Sequence, residues 1–113
     1  MGMRPVDIAL AYLEAFAKQD LTTAATYVAD DIEFVSPRVH LHGKTDTLAA
    51  VGEFAQVVTG LDVLATIADG DHVLVMYDMH TTPFGTIRAA DHLTIADGRI
   101  TKDLLVFDPA ALG

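Results

Sequence analysis

Residues 86–100 read TIRAADHLTIADGRI, a stretch in which apolar and polar side chains alternate. With one exception, aliphatic side chains occupy every second position from Ile87 to Ile95, and mostly polar side chains lie between them. A period of two predicts a β-strand whose apolar face is buried. The Asp97–Gly98 pair that follows is a strong signal for a tight hairpin turn. The stretch therefore predicts a strand that turns back into an antiparallel partner.

The neighbouring segments extend this pattern into a meander. Alternation with a period of two predicts four strands, at residues 61–68, 72–81, 85–96 and 99–107. The segments between them contain the turn-forming sequences ADGD, PFG and ADGR. Consecutive strands joined by short turns pair antiparallel. We therefore expect one mostly antiparallel sheet from the second half of the chain.

The first half of the chain has helical spacing instead. Pro5 suits the first position of a helix whose apolar stripe includes Phe16, and Asp20 is a good N-cap for a short second helix. A strand ending at Pro37 follows, and a third helix is predicted to start near Thr45 and to stop before residue 60. Helices followed by a run of strands predict an α+β fold and exclude alternating βαβ units.

Composition excludes several classes of protein. The 113 residues suffice for one domain, 1–113, and a hydrophobic content of 51% supports a buried core. With no cysteine, neither a disulfide framework nor a thiolate metal site is available. The net charge of −9 argues against a nucleic-acid partner, and no apolar run approaches the roughly 20 residues of a membrane helix. We expect a cytoplasmic protein with no nucleic-acid or membrane partner and no cofactor.

The exception in the alternating strand is Asp91. It shares its parity with Ile87, Ala89, Leu93 and Ile95, so its carboxyl group should point wherever those aliphatic side chains point. A buried carboxylate needs a partner, water or a proton, and burial raises the pKa of a carboxyl group. Asp91 is therefore either a structurally satisfied acid or part of a functional site.

Two segments carry a resemblance to a known superfamily. Residues 11–37, AYLEAFAKQDLTTAATYVADDIEFVSP, resemble the opening of bacterial ketosteroid isomerases and of the wider nuclear-transport-factor-2-like superfamily. The shared features are a tyrosine on the first helix, an Asp eight residues later, an acidic pair and a strand-ending proline. Residues 89–100 resemble the isomerases' strand with an Asp-His pair. The matching residues are Tyr12, Asp20, Asp30, Asp31, Pro37, Asp91 and His92.

This resemblance implies a cone-shaped, cystatin-like fold in which three N-terminal helices pack on a curved, mostly antiparallel sheet and enclose an apolar pocket. It also implies that Tyr12 and Asp91 are the two donors that hold an enolate-like oxygen of a hydrophobic carbonyl substrate. The isomerases' general base, however, is an Asp directly before the strand-ending proline, and Ser36 occupies that position. A serine hydroxyl without an activating partner is not a base near neutral pH.

Other residues are candidates for moving the proton or lining the pocket. His40, His42 and Asp78 are candidate proton carriers, because imidazole and carboxyl groups exchange protons readily. His40 and His42 also form a His-x-His pair, but a metal site needs a third ligand, which the sequence does not identify, so no metal is predicted. Further candidates for contact with a ligand are Phe16, Ser36, Phe54, His80, Asp103 and Leu105.

SnoaL-type polyketide cyclases and limonene-epoxide-hydrolase-like enzymes belong to the same superfamily. The cyclases use a carboxylate on a late strand, a role for which Asp103 is a candidate. The hydrolases use an Asp–Arg–Asp set, which is not reproduced here because Arg88 and Asp91 lie on opposite parities.

Three functions follow from these observations. The first is an enzyme, an isomerase or cyclase acting on a small hydrophobic carbonyl compound. The second is a protein that binds a hydrophobic ligand without chemistry, which the missing base favours. The third is an interaction domain that forms a homodimer through its sheet, because residues 73–79 carry apolar side chains on both parities. The same apolar residues leave open whether Asp78 and His80 face the pocket or the opposite side of the sheet.

Overall fold

The computed structural model describes residues 2–113 as helices packed against one face of a six-stranded sheet. In chain order the elements are α1 (Pro5–Ala17), α2 (Leu21–Thr26), β1 (Val28–Val35), β2 (His40–His42), α3 (Lys44–Ala55), β3 (Val58–Asp69), β4 (His72–Thr81), β5 (Gly85–Ala96), β6 (Arg99–Phe107) and a final 3-10 turn (Pro109–Leu112). The α+β class predicted from the sequence is confirmed. No helix within residues 2–113 is long and apolar enough to cross a membrane.

The sheet has the strand order β2-β1-β6-β5-β4-β3. All neighbours are antiparallel except β1 and β6, which run parallel. The ladder between β3 and β4 is interrupted twice, after Val58 and after Val63, and each irregularity adds local bend and twist to the strand. The sheet therefore curves, and its concave face receives the helices.

The helix starts follow from local chemistry. Pro5 occupies the first turn of α1, and the Asp7 side chain accepts a hydrogen bond from the Arg4 backbone N–H. Asp20 caps α2, because its carboxylate accepts a hydrogen bond of 3.1 Å from the Thr23 backbone N–H. Both features satisfy backbone donors that the first turn of a helix leaves without partners.

The alternation of β5 is confirmed at every position. Its inward side chains from Ile87 to Ile95 are all buried, including Asp91, whereas Thr86 and Arg88 are exposed. Asp97 and Gly98 both have positive φ, at 52° and 76°, which is the geometry of the predicted tight hairpin turn. The core therefore lies between the inward face of the sheet and the apolar face of α1.

Among the early elements, the short strand β2 was not predicted. As expected, a strand, β1, lies between α2 and α3, so the three helices implied by the resemblance do not form one uninterrupted N-terminal block. The three residues of β2 are too few for a detectable alternation, and they form a strand only by pairing with Glu33, Phe34 and Val35 of β1. β1 has the predicted length but begins and ends two residues earlier, at Val28 and Val35 instead of Asp30 and Pro37, and Val28 lies next to Ile100 of β6.

A matched pair of leucine substitutions tests this division between core and surface. Leu93→Ala removes a side chain with 0% exposure and should lower the free energy of unfolding by about 2–5 kcal/mol. Leu64→Ala alters a side chain that is 47% exposed and should lower the free energy of unfolding much less, on the order of 0.5 kcal/mol. Urea unfolding followed by circular dichroism measures both, and equal losses would contradict the assignment of Leu93 to the core.

Candidate active site

A cavity of about 230 Å³ lies between the concave face of the sheet, α1 and α3. Its wall is mostly apolar and includes Phe16 from α1, Phe54 from α3 and Phe34 from β1. The polar side chains in the wall are Tyr12, Ser36, Arg38, Tyr77, Asp91 and Asp103. A concave apolar space with a few convergent polar groups is the usual form of a small-molecule site.

Two buried acids lie side by side in this wall. Asp91 is opposite Leu105, and Asp103 is opposite Leu93, so the two carboxyl groups are diagonal neighbours on one face of β5 and β6. They are 3% and 2% exposed, and each carboxyl group alters the pKa of the other. Two carboxylates cannot both be charged at such close range in a buried site without a large cost, so a shared proton is expected.

The electrostatics of the two acids are unequal. Burial raises the pKa of Asp91, but hydrogen bonds from Asp103 and Tyr77 oppose that rise by stabilising the carboxylate. Burial also raises the pKa of Asp103, to well above its ordinary value, and the nearby charge of Asp91 raises it further. The hydrogen bond that Tyr77 donates to Asp91 favours the charge on Asp91 and therefore the shared proton on Asp103.

Two tyrosines surround the acid pair. The Tyr77 hydroxyl of β4 donates a hydrogen bond of 2.6 Å to Oδ2 of Asp91. Burial raises the pKa of Tyr12 well above its ordinary value, and the charges of Asp103 and Asp91 add to the effect. The pKa of Tyr77 is raised for the same reasons, with Asp91 as its main charged neighbour. Both phenols therefore stay protonated and serve as neutral donors.

One oxygen of the pair is left without a partner. Oδ1 of Asp103 is buried and makes no hydrogen bond with any group of residues 2–113. Buried polar atoms in folded proteins nearly always have a partner, and exceptions call for a specific explanation. The proton that Asp91 and Asp103 are expected to share is one such explanation, because two neighbouring buried carboxyl groups are stable together only when one of them is protonated.

The structure brings together most of the site residues predicted from the sequence. Tyr12 and Asp91 lie in one cavity wall, together with the candidate ligand contacts Phe16, Ser36, Phe54, Asp103 and Leu105. Ser36 has a structural task in addition. Its Oγ accepts hydrogen bonds of 3.2 Å from the backbone N–H groups of Arg38 and Val39, which fixes the turn between β1 and β2.

Asp78 and His80 lie elsewhere, which differs from their predicted role. β4 directs Tyr77 and Met79 into the core, so the even-numbered side chains point to the opposite face of the sheet. There Asp78 accepts hydrogen bonds of 2.9 and 3.0 Å from Arg88, and Nε2 of His80 lies 2.7 Å from Oδ2 of Asp62. From the sequence it had been open whether Asp78 and His80 face the pocket, because β4 carries apolar residues on both parities.

The two histidines of β2 also lie outside the cavity. His40 and His42 are exposed on the edge strand, and Nε2 of His40 lies 2.7 Å from Oε2 of Glu33. Sequence reasoning missed Tyr77, although a detectable signal exists. Tyr77 has the same parity as Val73, Val75 and Met79, and that parity is the buried face of β4.

The raised pKa of Asp103 predicts a pH dependence of stability. The folded pKa lies above the ordinary value of 3.8, so between these two values the folded chain binds more protons than the unfolded chain. The contribution of Asp103 to stability should therefore be greatest below that ordinary value and fall as pH rises through the folded pKa, by up to about 1.4 kcal/mol per pH unit for one proton.

Asp103→Asn removes this titration and keeps an amide donor next to Asp91. Urea unfolding from pH 4 upward should show a shallower decline for the variant than for the wild-type chain. An infrared band of a protonated carboxylic acid should also be weaker in the variant near neutral pH. Equal slopes of stability against pH in the two proteins would contradict a raised pKa at Asp103.

Comparisons with known proteins agree on the family and the fold. The family model of the SnoaL-like domain matches residues 9–102. The crystal structure of a protein from Kribbella flavida DSM 17836 is 36% identical in sequence and superposes with a TM-score of 0.91, covering 95% of this chain and 88% of that one. A search of curated protein sequences gives no match.

More distant structures share the fold alone. An NTF2-like protein of unknown function from Cytophaga hutchinsonii ATCC 33406 has a TM-score of 0.86 at 20% identity, covering 99% of this chain and 96% of that one. An LEH-like epoxide hydrolase from M. tuberculosis has a TM-score of 0.80 at 20% identity, covering 95% of this chain and 84% of that one. The family match over most of the chain confirms the SnoaL-like part of the resemblance seen in the sequence, and the protein belongs to the SnoaL-like domain family.

Proposed function

We propose that the protein is an enzyme that binds a small hydrophobic carbonyl compound in the cavity and moves a proton on it through the Asp91–Asp103 pair. The observation that carries this proposal is the buried acid pair in an otherwise apolar wall. Burying such a pair in a core is energetically unfavourable, and acids with strongly shifted pKa values in a cavity are typical of acid–base sites.

The Asp91–Asp103 pair supplies the general base that is absent at Ser36. With one proton between two carboxyl groups, Asp91 is the carboxylate and Asp103 the acid. The Asp91 carboxylate takes a proton from the carbon next to the substrate carbonyl, the C–H electron pair moves into the enolate, and the proton is returned to a different carbon. The product is an isomer of the substrate, and the charge of the enzyme is unchanged.

The enolate oxygen requires hydrogen-bond donors in a cavity that contains little water. Tyr12 is a neutral phenol close to Asp103, so its hydroxyl and the Asp103 proton support the same developing charge. Donors placed at such an oxygen act strongly in an apolar cavity, because few water dipoles compete with them. The phenylalanine-lined wall favours a substrate that is otherwise apolar.

Asparagine substitutions test the role of the pair. With a panel of hydrophobic β,γ-unsaturated ketones, ultraviolet absorbance follows formation of the conjugated enone. For a ketone that the wild-type chain converts, Asp91→Asn removes the general base and should lower kcat by about 10²–10⁴. Asp103→Asn replaces the acid at the developing oxyanion by an amide, a weaker donor, and should lower kcat by about 10²–10³. Asp78→Asn is the matched control, and it should leave kcat unchanged because Asp78 pairs with Arg88 outside the cavity. Full activity of Asp103→Asn would exclude the proposed mechanism.

A second candidate is a binding protein without catalysis. The observation that favours it is the engagement of Ser36 in a turn, which leaves the usual base position of the isomerases structural. Fluorescence titration with an equilenin-like phenol distinguishes the two functions. Tight binding that Asp103→Asn weakens, without turnover of any ketone or cyclisation substrate, would favour the binding protein over the enzyme.

A homodimer through the outer face of the sheet is proposed as the assembly. Four exposed apolar side chains lie on that face, from β3, β4 and β6: Ile67, Leu74, Met76 and Val106. Ile67 is opposite Leu74, and both Met76 and Val106 are opposite Ala90, so the four form a continuous patch. Contiguous exposed apolar surface is typical of a protein–protein interface.

Sedimentation velocity at micromolar concentration tests the dimer. The wild-type chain should sediment as a dimer, and Met76→Glu should produce monomers because it places a charge in the middle of the patch. Thr22→Glu adds the same charge on exposed α2 and should leave the dimer intact. A monomeric wild-type chain would contradict the proposed assembly.

A further inference from the structure

Three potential metal ligands converge at the edge of the sheet, away from the acid pair. Glu33 of β1 is directly opposite His42 of β2, and His40 lies two residues before His42 on the same face. One ligand atom from each side chain can be chosen so that all lie within 4.8 Å of one another. Nε2 of His40 is already 2.7 Å from Oε2 of Glu33, and the ring centroids of His40 and His42 are 4.8 Å apart.

We propose that Glu33, His40 and His42 form a binding site for a divalent transition-metal ion such as Zn²⁺. Two imidazoles and one carboxylate are a ligand set that Zn²⁺ uses in proteins, with metal–ligand distances of about 2.0–2.2 Å. Ligand atoms around a tetrahedral ion at that range are about 3.4 Å apart. The three side chains therefore need only small rotations, which their partial or full exposure allows.

The carboxylate of Glu33 is arranged for this task. Oε1 lies 3.5 Å from Nζ of Lys102, and Oε2 faces His40. Lys102 thus orients Oε1, and Oε2 is directed at the histidines. Residues outside the ligand set commonly orient metal ligands in this way.

The sequence alone supplied two of the three ligands. The His-x-His spacing of His40 and His42 was visible, but Glu33 is seven residues away from His40 and reaches it only through the pairing of β1 with β2. The other close histidine pair, His72 and His92, has ring nitrogens 3.0 Å apart. It has no third metal-ligating side chain in range within residues 2–113. That pair is therefore an internal control for the three-ligand site.

A metal ion here would clamp two strands together. The ligands come from both sides of the turn between β1 and β2, and Ser36, Arg38 and Val39 of that turn line the cavity. An ion that binds the folded chain and not the unfolded chain stabilises the fold by mass action. Three protein ligands also leave one tetrahedral position for water or another small ligand.

Isothermal titration calorimetry with ZnCl₂ tests the site on the untagged, chelator-stripped chain near neutral pH. The wild-type protein should bind one Zn²⁺ per chain, and binding should weaken as pH falls because the ligands must be deprotonated. His42→Ala and Glu33→Gln should each weaken binding by at least 10-fold, since even loss of an outer partner costs about 10–100-fold. His72→Ala should bind Zn²⁺ with wild-type affinity, and circular dichroism checks that all four proteins are folded.

Three results would overturn the proposal. The first is no measurable binding of Zn²⁺ by the folded wild-type chain. The second is wild-type affinity in both His42→Ala and Glu33→Gln. The third is a loss of binding in His72→Ala with binding retained in His42→Ala, which would place the ion at the other histidine pair.

Discussion

The contact between Asp91 and Asp103 is the interaction on which the rest of the site depends. Both carboxyl groups are nearly inaccessible to solvent, so each needs a hydrogen-bond donor or a proton. Without one, ionising either group at this depth is energetically unfavourable. The Tyr77 hydroxyl donates a hydrogen bond to Asp91, the neutral phenol of Tyr12 lies close by, and a proton shared between the two acids is expected to remove the second charge. A chain selected for stability alone would place aliphatic residues at these positions, since replacing a buried polar group by a well-packed apolar one is often neutral or stabilising.

The curvature of the sheet separates three surfaces with different chemistry. The concave face carries the cavity and its acid pair, and the outer face carries an apolar patch that includes Met76 and Val106. The edge at β2 carries the histidines and Glu33. Strict alternation of side chains makes this separation possible, because adjacent residues of one strand serve opposite faces. In β4, Tyr77 serves the acid pair while Asp78 forms an ion pair with Arg88 on the other side.

Local patterns predicted the elements that repeat over many residues. The strands at 72–81, 85–96 and 99–107 have the bounds expected from their period, and the turn at Asp97–Gly98 has the predicted positive φ angles. The short strand β2 was not predicted, because three residues carry no measurable period and their pairing with β1 is a long-range event. The early start of β1 has the same cause, since Val28 is placed by its neighbour Ile100 on β6.

Two features could be predicted from the residues alone: the α+β fold, and an Asp91 side chain that points the same way as its aliphatic neighbours. The resemblance to ketosteroid isomerases added the expectation that Ser36 occupies the position of their general base. Each of these follows from local spacing or from a motif. Only the tertiary structure decided which groups meet: that Asp103 and Tyr77 contact Asp91, that Asp78 and His80 face away, and that Glu33 joins His40. The physical reason is register. Which residue lies beside which across two strands depends on the whole sheet, and a shift of one residue would send every one of these side chains to the opposite face.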